Sequence, residues 1–126
     1  MAQTQVREYG AKAQSTDTFG RVMCSSRNHH FVVDGPVWNG CPGEAITPSE
    51  VFLASIACCG VELVQLIAKS KAVPLSGIAV DIKGTFDRSQ QARSDVSLFN
   101  SVRVHFRMKG VTEEQGGLLV DGFKSK

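Results

Sequence analysis

A long apolar segment, residues 46–70, constrains the fold of this chain more than any other feature. Thr47 precedes Pro48 and is followed three residues later by Glu50, which is the pattern of a helical capping box with proline in the first position. From Val51 onward, apolar residues occur on nearly every side of the predicted helix. The sequence therefore predicts a long central helix that is buried on more than one side.

A membrane span is the alternative interpretation of such a segment. Glu62 and Gln65 lie inside the apolar run, and Lys69 and Lys71 close it. The segment therefore lacks the 18 or more consecutive uncharged residues that are typical of a span. We expect a central helix of the protein core and no membrane partner.

Length and charge narrow the class of protein. The chain has 126 residues, of which 42% are apolar, and this is enough for one modest core and too little for two domains. Its 14 basic and 12 acidic residues are spread along the sequence, so the charge pattern gives no support to nucleic-acid binding. The first residues show no basic stretch followed by an apolar one, so we expect no signal peptide and a cytoplasmic location.

Four cysteines raise the question of thiol chemistry. Cys58 and Cys59 are adjacent at the middle of the predicted helix. In a reducing cytosol, free, metal-binding or catalytic thiols are expected before structural disulfides, although position alone makes a helix thiol more often a core residue than a catalyst. The other two thiols and the imidazoles near them are Cys24, His29, His30 and Cys41. Their spacing is not the paired spacing of a zinc site, so we expect no metal and no cofactor.

Short β-compatible segments precede the helix. Residues 5–13, 21–27 and 29–34 are separated by turn-forming residues, which predicts a meander of two or three antiparallel strands. The segment GPVWNGCPGEAITP follows and predicts a long loop that could line the mouth of a pocket. Cys41 lies in this loop and is expected to be exposed and mobile.

Two further strands and a second helix are predicted after the central helix. Ile78, Val80 and Ile82 alternate with other residues, and residues 102–109 alternate still more regularly between apolar and basic side chains. The basic side chains of 102–109 are expected on the solvent face of the strand. Thr112 begins a second helix, in which two consecutive glycines cost roughly 1 kcal/mol each relative to alanine. Together these elements predict an α+β fold with an antiparallel sheet packed on a long central helix.

The helix motif and the order of elements carry a family resemblance. The pattern P-x-E-x-x-x-A-S-x-A-C-C at residues 48–59, together with the T-E-E-Q start of the second helix, resembles the OsmC/Ohr family of thiol-dependent hydroperoxide reductases. The resemblance extends over nearly the whole chain. It implies an OsmC-like α+β fold and an intertwined homodimer. A homodimer is also expected because the central helix is apolar on too many sides for the few strands of one chain to cover.

The resemblance also implies a set of site residues. Cys59 falls at the position of the peroxide-reacting cysteine of the family. Glu50 falls at the glutamate that positions an arginine carried by the early strands or loop. That arginine could be Arg21 or Arg27, and the sequence leaves both open.

One feature of the family is missing from this sequence. Family members have a second, resolving cysteine in a C-P dipeptide of the later helix, followed by a closing strand, whereas this sequence ends at GFKSK, near that point. We therefore expect either a C-terminally truncated OsmC-like domain or a protein without an internal resolving cysteine. Cys58 cannot pair with Cys59 in a helix, because adjacent Cα atoms about 3.8 Å apart are too close for a disulfide. Cys41 and Cys24 remain possible substitutes.

The implied chemistry needs an ionised thiol. Apolar burial disfavours the thiolate, so a nearby arginine must offset the loss of hydration before Cys59 can attack a peroxide. Attack gives a cysteine sulfenic acid and an alcohol, and an external thiol restores Cys59. The expected function is thus reduction of organic hydroperoxides to alcohols, as in a response to oxidative stress. The alternatives are a non-catalytic OsmC-like domain that binds a small ligand and an inactive truncated fragment.

Overall fold

The computed structural model describes residues 5–95 and 97–125 and confirms the α+β class. The chain divides into two compact units, residues 1–51 and 52–126. The elements within the described residues are β1 Lys12–Ser15, β2 Arg21–Ser26, β3 His29–Asp34, α1 Pro48–Ser70, β4 Gly77–Thr85, β5 Ser101–Lys109 and α2 Glu113–Lys124.

The first unit contains the predicted antiparallel meander, with the strand order β1-β2-β3. The first strand, expected over residues 5–13, begins only at Lys12, because β2 offers backbone partners only to residues 12–15. The chain ahead of it is held by the Ser26 hydroxyl, which donates to the carbonyl oxygen of Gly10 at 2.7 Å. The sequence therefore predicted the existence of this strand correctly but placed it too early in the chain.

The loop between β3 and α1 folds back onto the strand ends. It contains a short 3-10 turn at Val37–Asn39. The amide of Gly35 donates to the carbonyl oxygen of Gly20 at 2.8 Å, and the amide of Asp34 donates to that of Ile46 at 3.1 Å. Both ends of the loop are therefore tied to β3 or to the residue before β2.

The helix α1 begins as the sequence predicts. The amide of Thr47 donates to the Glu50 carboxylate at 3.0 Å, and the amide of Glu50 donates to the Thr47 hydroxyl oxygen at 3.4 Å. Pro48 occupies the first helical position, where no intrahelical N–H bond is needed. These contacts confirm the capping box and fix the start of α1.

The second unit is built around an apolar cluster between α1, α2 and the β4–β5 pair. Its buried members come from both helices: Val64, Ile67, Ala68 and Leu119. Gly60 lets the sheet approach closely, since a Cβ there would lie 3.3 Å from Phe106. The predicted alternation of β4 and β5 and the Thr112 capping box of α2 are confirmed. An antiparallel sheet thus packs on the long helix.

One side of α1 remains open in the single chain. The exposed residues recur every three or four positions and include Phe52, Cys59 and Leu66, with Cys58 beside them. In the single chain Cys59 is exposed, because the sheet and α2 of the second unit cover only the side of α1 that carries Gly60 and Val64. By length and composition alone α1 would also qualify as a membrane span, as many core helices do.

Candidate functional site

Arg21 and Asp34 form a charged pair at one end of the first sheet. The register places Arg21 directly opposite Asp34. The Arg21 Nε donates to Asp34 Oδ1 at 2.8 Å, and the Arg21 Nη2 donates to Asp34 Oδ2 at 2.9 Å. Two parallel bonds of this kind fix both the position and the plane of a guanidinium. Arg21 is therefore held by one of its edges.

The carboxylate of Asp34 is fully buried, with 0% of its surface exposed. Its Oδ2 also accepts the backbone N–H groups of Glu44 at 3.0 Å and Ala45 at 2.9 Å. The Arg21 hydrogen bond, followed by these backbone bonds, lowers the pKa of Asp34 well below its usual range against the opposing effect of burial. The hydrogen bond to Asp34 is in turn the largest cause that raises the pKa of Arg21 above its usual value. Both members of the pair are therefore charged at neutral pH.

A second carboxylate reaches the same guanidinium from the loop. The Arg21 Nη2 donates to Glu44 Oε1 at 2.8 Å. The Glu44 side chain is 76% exposed, whereas that of Arg21 is 31% exposed. Of the five N–H donors of a guanidinium, three are engaged, and the two on Nη1 have no partner within residues 5–95 and 97–125. Arg21 therefore keeps a free donor edge at a fixed position.

Two glycines allow the loop to seat beside this pair. Gly20 precedes Arg21 and has a φ of 80°, and Gly35 follows Asp34. A Cβ on either glycine would lie 2.4 Å from the sulfur of Cys41. Cys41 is thus half-buried and packed between the two backbones, which contradicts the expectation of a mobile loop thiol.

Two adjacent thiols lie on α1. Cys59 belongs to the second unit, on the exposed stripe of α1 that also carries Phe52 and Leu66. Cys58 is likewise exposed, and both thiols are free. Because both thiols are exposed and neither is in a disulfide, a reagent can reach each of them in the single chain.

Glu50 is engaged in starting the helix. Its carboxylate accepts from the Thr47 amide at 3.0 Å and from the Thr47 hydroxyl at 2.8 Å, and these bonds lower the pKa of Glu50. In the first unit, the carboxylates bound to Arg21 are those of Asp34 and Glu44 rather than that of Glu50. The role of Glu50 in orienting an arginine therefore stays a prediction.

The second candidate arginine lies at the opposite end of β2. Arg27 occupies the turn between β2 and β3 with a φ of 53°. Six residues along an extended strand correspond to roughly 20 Å, so Arg27 is far from the carboxylates that hold Arg21. The two arginines left open by the sequence thus have different surroundings, and within the described part of the chain Arg21 is the one held by carboxylates.

Asp34 and Glu44 were not among the site residues predicted from the sequence. The first could have been found from the hairpin itself, because a two-residue turn between Ser26 and His29 pairs residue 21 with residue 34. A cross-strand arginine and aspartate are an expected ion pair. Glu44 offered no such signal, because its position depends on how the loop returns to the strand ends.

A groove in the second unit lies between β5 and α2. It has a volume of about 600 Å³ and is lined mainly by apolar residues, including Val104, Met108, Val111 and Val120. Cys59 is not part of its lining. Within the described residues, no group of three or more histidine, cysteine, aspartate or glutamate side chains is arranged to hold a metal ion.

The family of the chain is shown by comparison with known proteins. Residues 41–121 match the family model of OsmC-like proteins. No curated protein matches the chain in sequence. The match covers more than half of the chain and includes the loop from Cys41 onward, α1, β4, β5 and most of α2.

Solved structures share the fold at low sequence identity. An OsmC-like protein from Mycoplasma pneumoniae is 14% identical with a TM-score of 0.80, and the match covers 97% of this chain and 84% of that one. An organic hydroperoxide resistance protein OsmC from Legionella pneumophila is 18% identical with a TM-score of 0.74, covering 97% and 85%. An organic hydroperoxide resistance protein from Elizabethkingia anophelis, with thiocyanate bound, is 20% identical with a TM-score of 0.76, covering 98% and 85%. These matches show the fold, and together with the family model they establish that this chain belongs to the OsmC-like protein family.

Proposed function

We propose that this protein reduces organic hydroperoxides to alcohols with Cys59 as the reacting thiol. The observation that carries the proposal is a thiol free of any disulfide at Cys59, at the middle of the central helix of an OsmC-like fold. The similar proteins from Legionella pneumophila and Elizabethkingia anophelis are organic hydroperoxide resistance proteins, which supports the same substrate class.

The proposed reaction is a two-electron exchange at sulfur. The Cys59 thiolate attacks one peroxide oxygen, the O–O bond breaks, and the alkoxide leaves and takes a proton to become the alcohol. Cys59 is left as a sulfenic acid. One external thiol condenses with it to a mixed disulfide and releases water, and a second external thiol frees Cys59 and departs as a disulfide. A cytoplasmic location would supply these thiols.

Arg21 is the proposed activator of the thiol and of the leaving oxygen. A guanidinium stays charged when partly buried, and Arg21 has two N–H donors on Nη1 without a partner in the described chain. Such donors can stabilise both a thiolate and a developing alkoxide. Among the residues that the structure describes, Arg27 has no comparable carboxylate partners. Glu50 is kept as the orienting residue that the family resemblance implies.

The proposed working form is a homodimer in which α1 contacts its counterpart. The exposed stripe of α1 carries Phe52 and Leu66, and a soluble protein is stabilised when such a stripe is covered. Light scattering coupled to size-exclusion chromatography should give twice the chain mass of 13.6 kDa. A monodisperse monomer would contradict this part of the proposal.

The adjacent thiols provide a matched test. Cys59→Ser should abolish turnover of cumene hydroperoxide with an external dithiol, and Cys58→Ser should retain it, because only Cys59 stands at the reacting position. Trapping with dimedone followed by mass spectrometry should locate the sulfenic acid on residue 59. Equal turnover in the unaltered protein and Cys59→Ser would sink the assignment.

A further inference from the structure

Pairing of β4 with β5 brings together basic side chains that are dispersed along the sequence. Four exposed cations lie on the side of this sheet that faces away from both helices, and we call this surface the basic face: Lys83, Arg103, Arg107 and Lys109. We propose that the basic face binds the phosphate backbone of a nucleic acid without reading its sequence. This site lies within the second unit and has no part in the proposed peroxide reaction.

The register of the two strands explains the basic face. Alternate residues of both strands pack against the apolar cluster formed with α1 and α2, and they include Ile78, Phe106 and Met108. Because successive side chains of a strand point to opposite sides, the residues between them are turned outward. Arg103, Arg107 and Lys109 therefore lie in a row of about 20 Å along β5. Lys83 lies directly opposite Arg103 on β4.

The charge on this face is concentrated and only partly neutralised. Lys83 and Arg103 are opposite each other, although like charges at directly paired positions destabilise a sheet. The one acidic residue of β4 and β5 is Asp81, whose carboxylate binds Arg107 at 3.0 Å. Both side chains of that pair are more than half exposed, so water screens their attraction. Four cations and one carboxylate leave a net charge of +3 on the face, against +2 for the whole chain.

A nucleic acid suits these cations better than an acidic protein does. An exposed cation gains little from a single carboxylate, because both groups give up good contacts with water. A nucleic acid carries a condensed layer of counterions, and their release favours binding even when only a few phosphates are contacted. Two of the four cations are arginines, whose planar guanidinium can bind a phosphate through two parallel hydrogen bonds. The arrangement of three cations in a row along β5 also matches a linear chain of phosphates.

An anionic membrane is a less suitable partner for the basic face. Binding of a protein to a membrane surface strengthens with the apolar area that it buries among the lipids. The other exposed positions on this side of the sheet include Ala79, Thr85, Ser101 and His105, which provide no large apolar side chain to insert. They also provide no phenylalanine, tyrosine or tryptophan on which bases could stack, so we expect contacts to the backbone and no preference for sequence.

The test is the binding of a fluorescently labelled DNA duplex of mixed sequence, followed by anisotropy. Affinity should fall roughly 100-fold between about 50 and 200 mM salt, because four phosphate contacts give a logarithmic slope of about −3.6. Arg103→Gln combined with Arg107→Gln should weaken binding and reduce the magnitude of this slope by about 2. Lys69→Gln combined with Lys124→Gln is the matched control, since it removes the same charge from exposed residues of the two helices and should keep the slope.

A second variant should strengthen binding, which loss of folding cannot do. Asp81→Asn frees Arg107 from its carboxylate and should raise the affinity for the duplex by up to about fivefold. An unchanged or lower affinity in Asp81→Asn would contradict the inference.

Three further results would overturn the inference. Absence of duplex binding at about 50 mM salt would reject it outright. Equal weakening in the two double variants would show that the overall charge of the chain, rather than the basic face, attracts the duplex. Binding to phosphatidylserine vesicles without binding to the duplex would assign the face to a membrane instead. The Cys59→Ser protein should bind the duplex like the unaltered protein, so this inference and the proposed function can fail separately.

Discussion

The two units of this protein are stabilised by different kinds of contact. Among described residues of the first unit, the buried ones are Val33 and Asp34, and the loop is held by directed bonds to a charged pair. The second unit buries an apolar cluster that includes Val64 and Leu119. Directed bonds specify the plane of one side chain, whereas apolar packing specifies how a helix lies on a sheet. The first unit thus provides an oriented cation, and the second provides a well-packed helix with a free thiol at Cys59.

The largest expected effect on stability tests the apolar cluster of the second unit. Leu119→Ala should lower the free energy of unfolding by about 2–5 kcal/mol, because Leu119 is 1% exposed and its loss leaves a cavity in the cluster. Chemical denaturation measures the change. Leu118→Ala is the matched control, because the Leu118 side chain is 58% exposed and its loss should change the free energy of unfolding by about 0.5 kcal/mol or less. Equal losses in the two variants would mean that the cluster is not the main support of the second unit.

A smaller effect tests the close packing of the first unit. Gly35→Ala should cost about 1–3 kcal/mol of unfolding free energy, because the new Cβ would meet the Cys41 sulfur at 2.4 Å. The added change Cys41→Ala should recover part of that loss by removing the sulfur. Gly10→Ala is the control, since a Cβ there meets nothing within 4 Å. If Gly35→Ala is as stable as the control, the loop is not packed on the strand ends as described.

The smallest expected effect is the response of the Arg21–Asp34 pair to low pH. The pKa of Asp34 is lowered in the folded state, so the stability from this pair is present above the ordinary aspartate pKa of about 3.9 and is lost as the pH falls toward the folded value. The amide resonances of Glu44 and Ala45, which donate to Asp34, should therefore not titrate between neutral pH and about pH 4. Titration of both amides near the ordinary aspartate value would show that Arg21 does not hold the carboxylate.

Local patterns explain which parts of the fold were predictable. Both capping boxes and the alternation in β4 and β5 depend on residues within a few positions of each other, and the structure confirms them. The start of β1 was misplaced because its extent is set by the partners that β2 offers at Lys12–Ser15, which the composition of residues 5–13 does not reveal.

The candidate site was less predictable for a physical reason. The role of Cys59 came from a motif, whereas the support of Arg21 came from chain topology that brings Asp34 across a strand and Glu44 back from a loop. Exposure of Cys59 could not be read from helix periodicity either, because an apolar stripe has the same pattern whether its own sheet or another surface covers it.

The central claim of the proposed function is that Arg21, rather than Arg27, activates Cys59. The most direct measurement is the single-turnover rate of Cys59 oxidation by cumene hydroperoxide in Arg21→Ala and Arg27→Ala. Removal of a fixed donor to a developing anion should slow Arg21→Ala by about 10²–10³-fold, whereas Arg27→Ala should stay within about threefold of the unaltered protein. Equal rates in the two variants, or the larger loss in Arg27→Ala, would contradict the account.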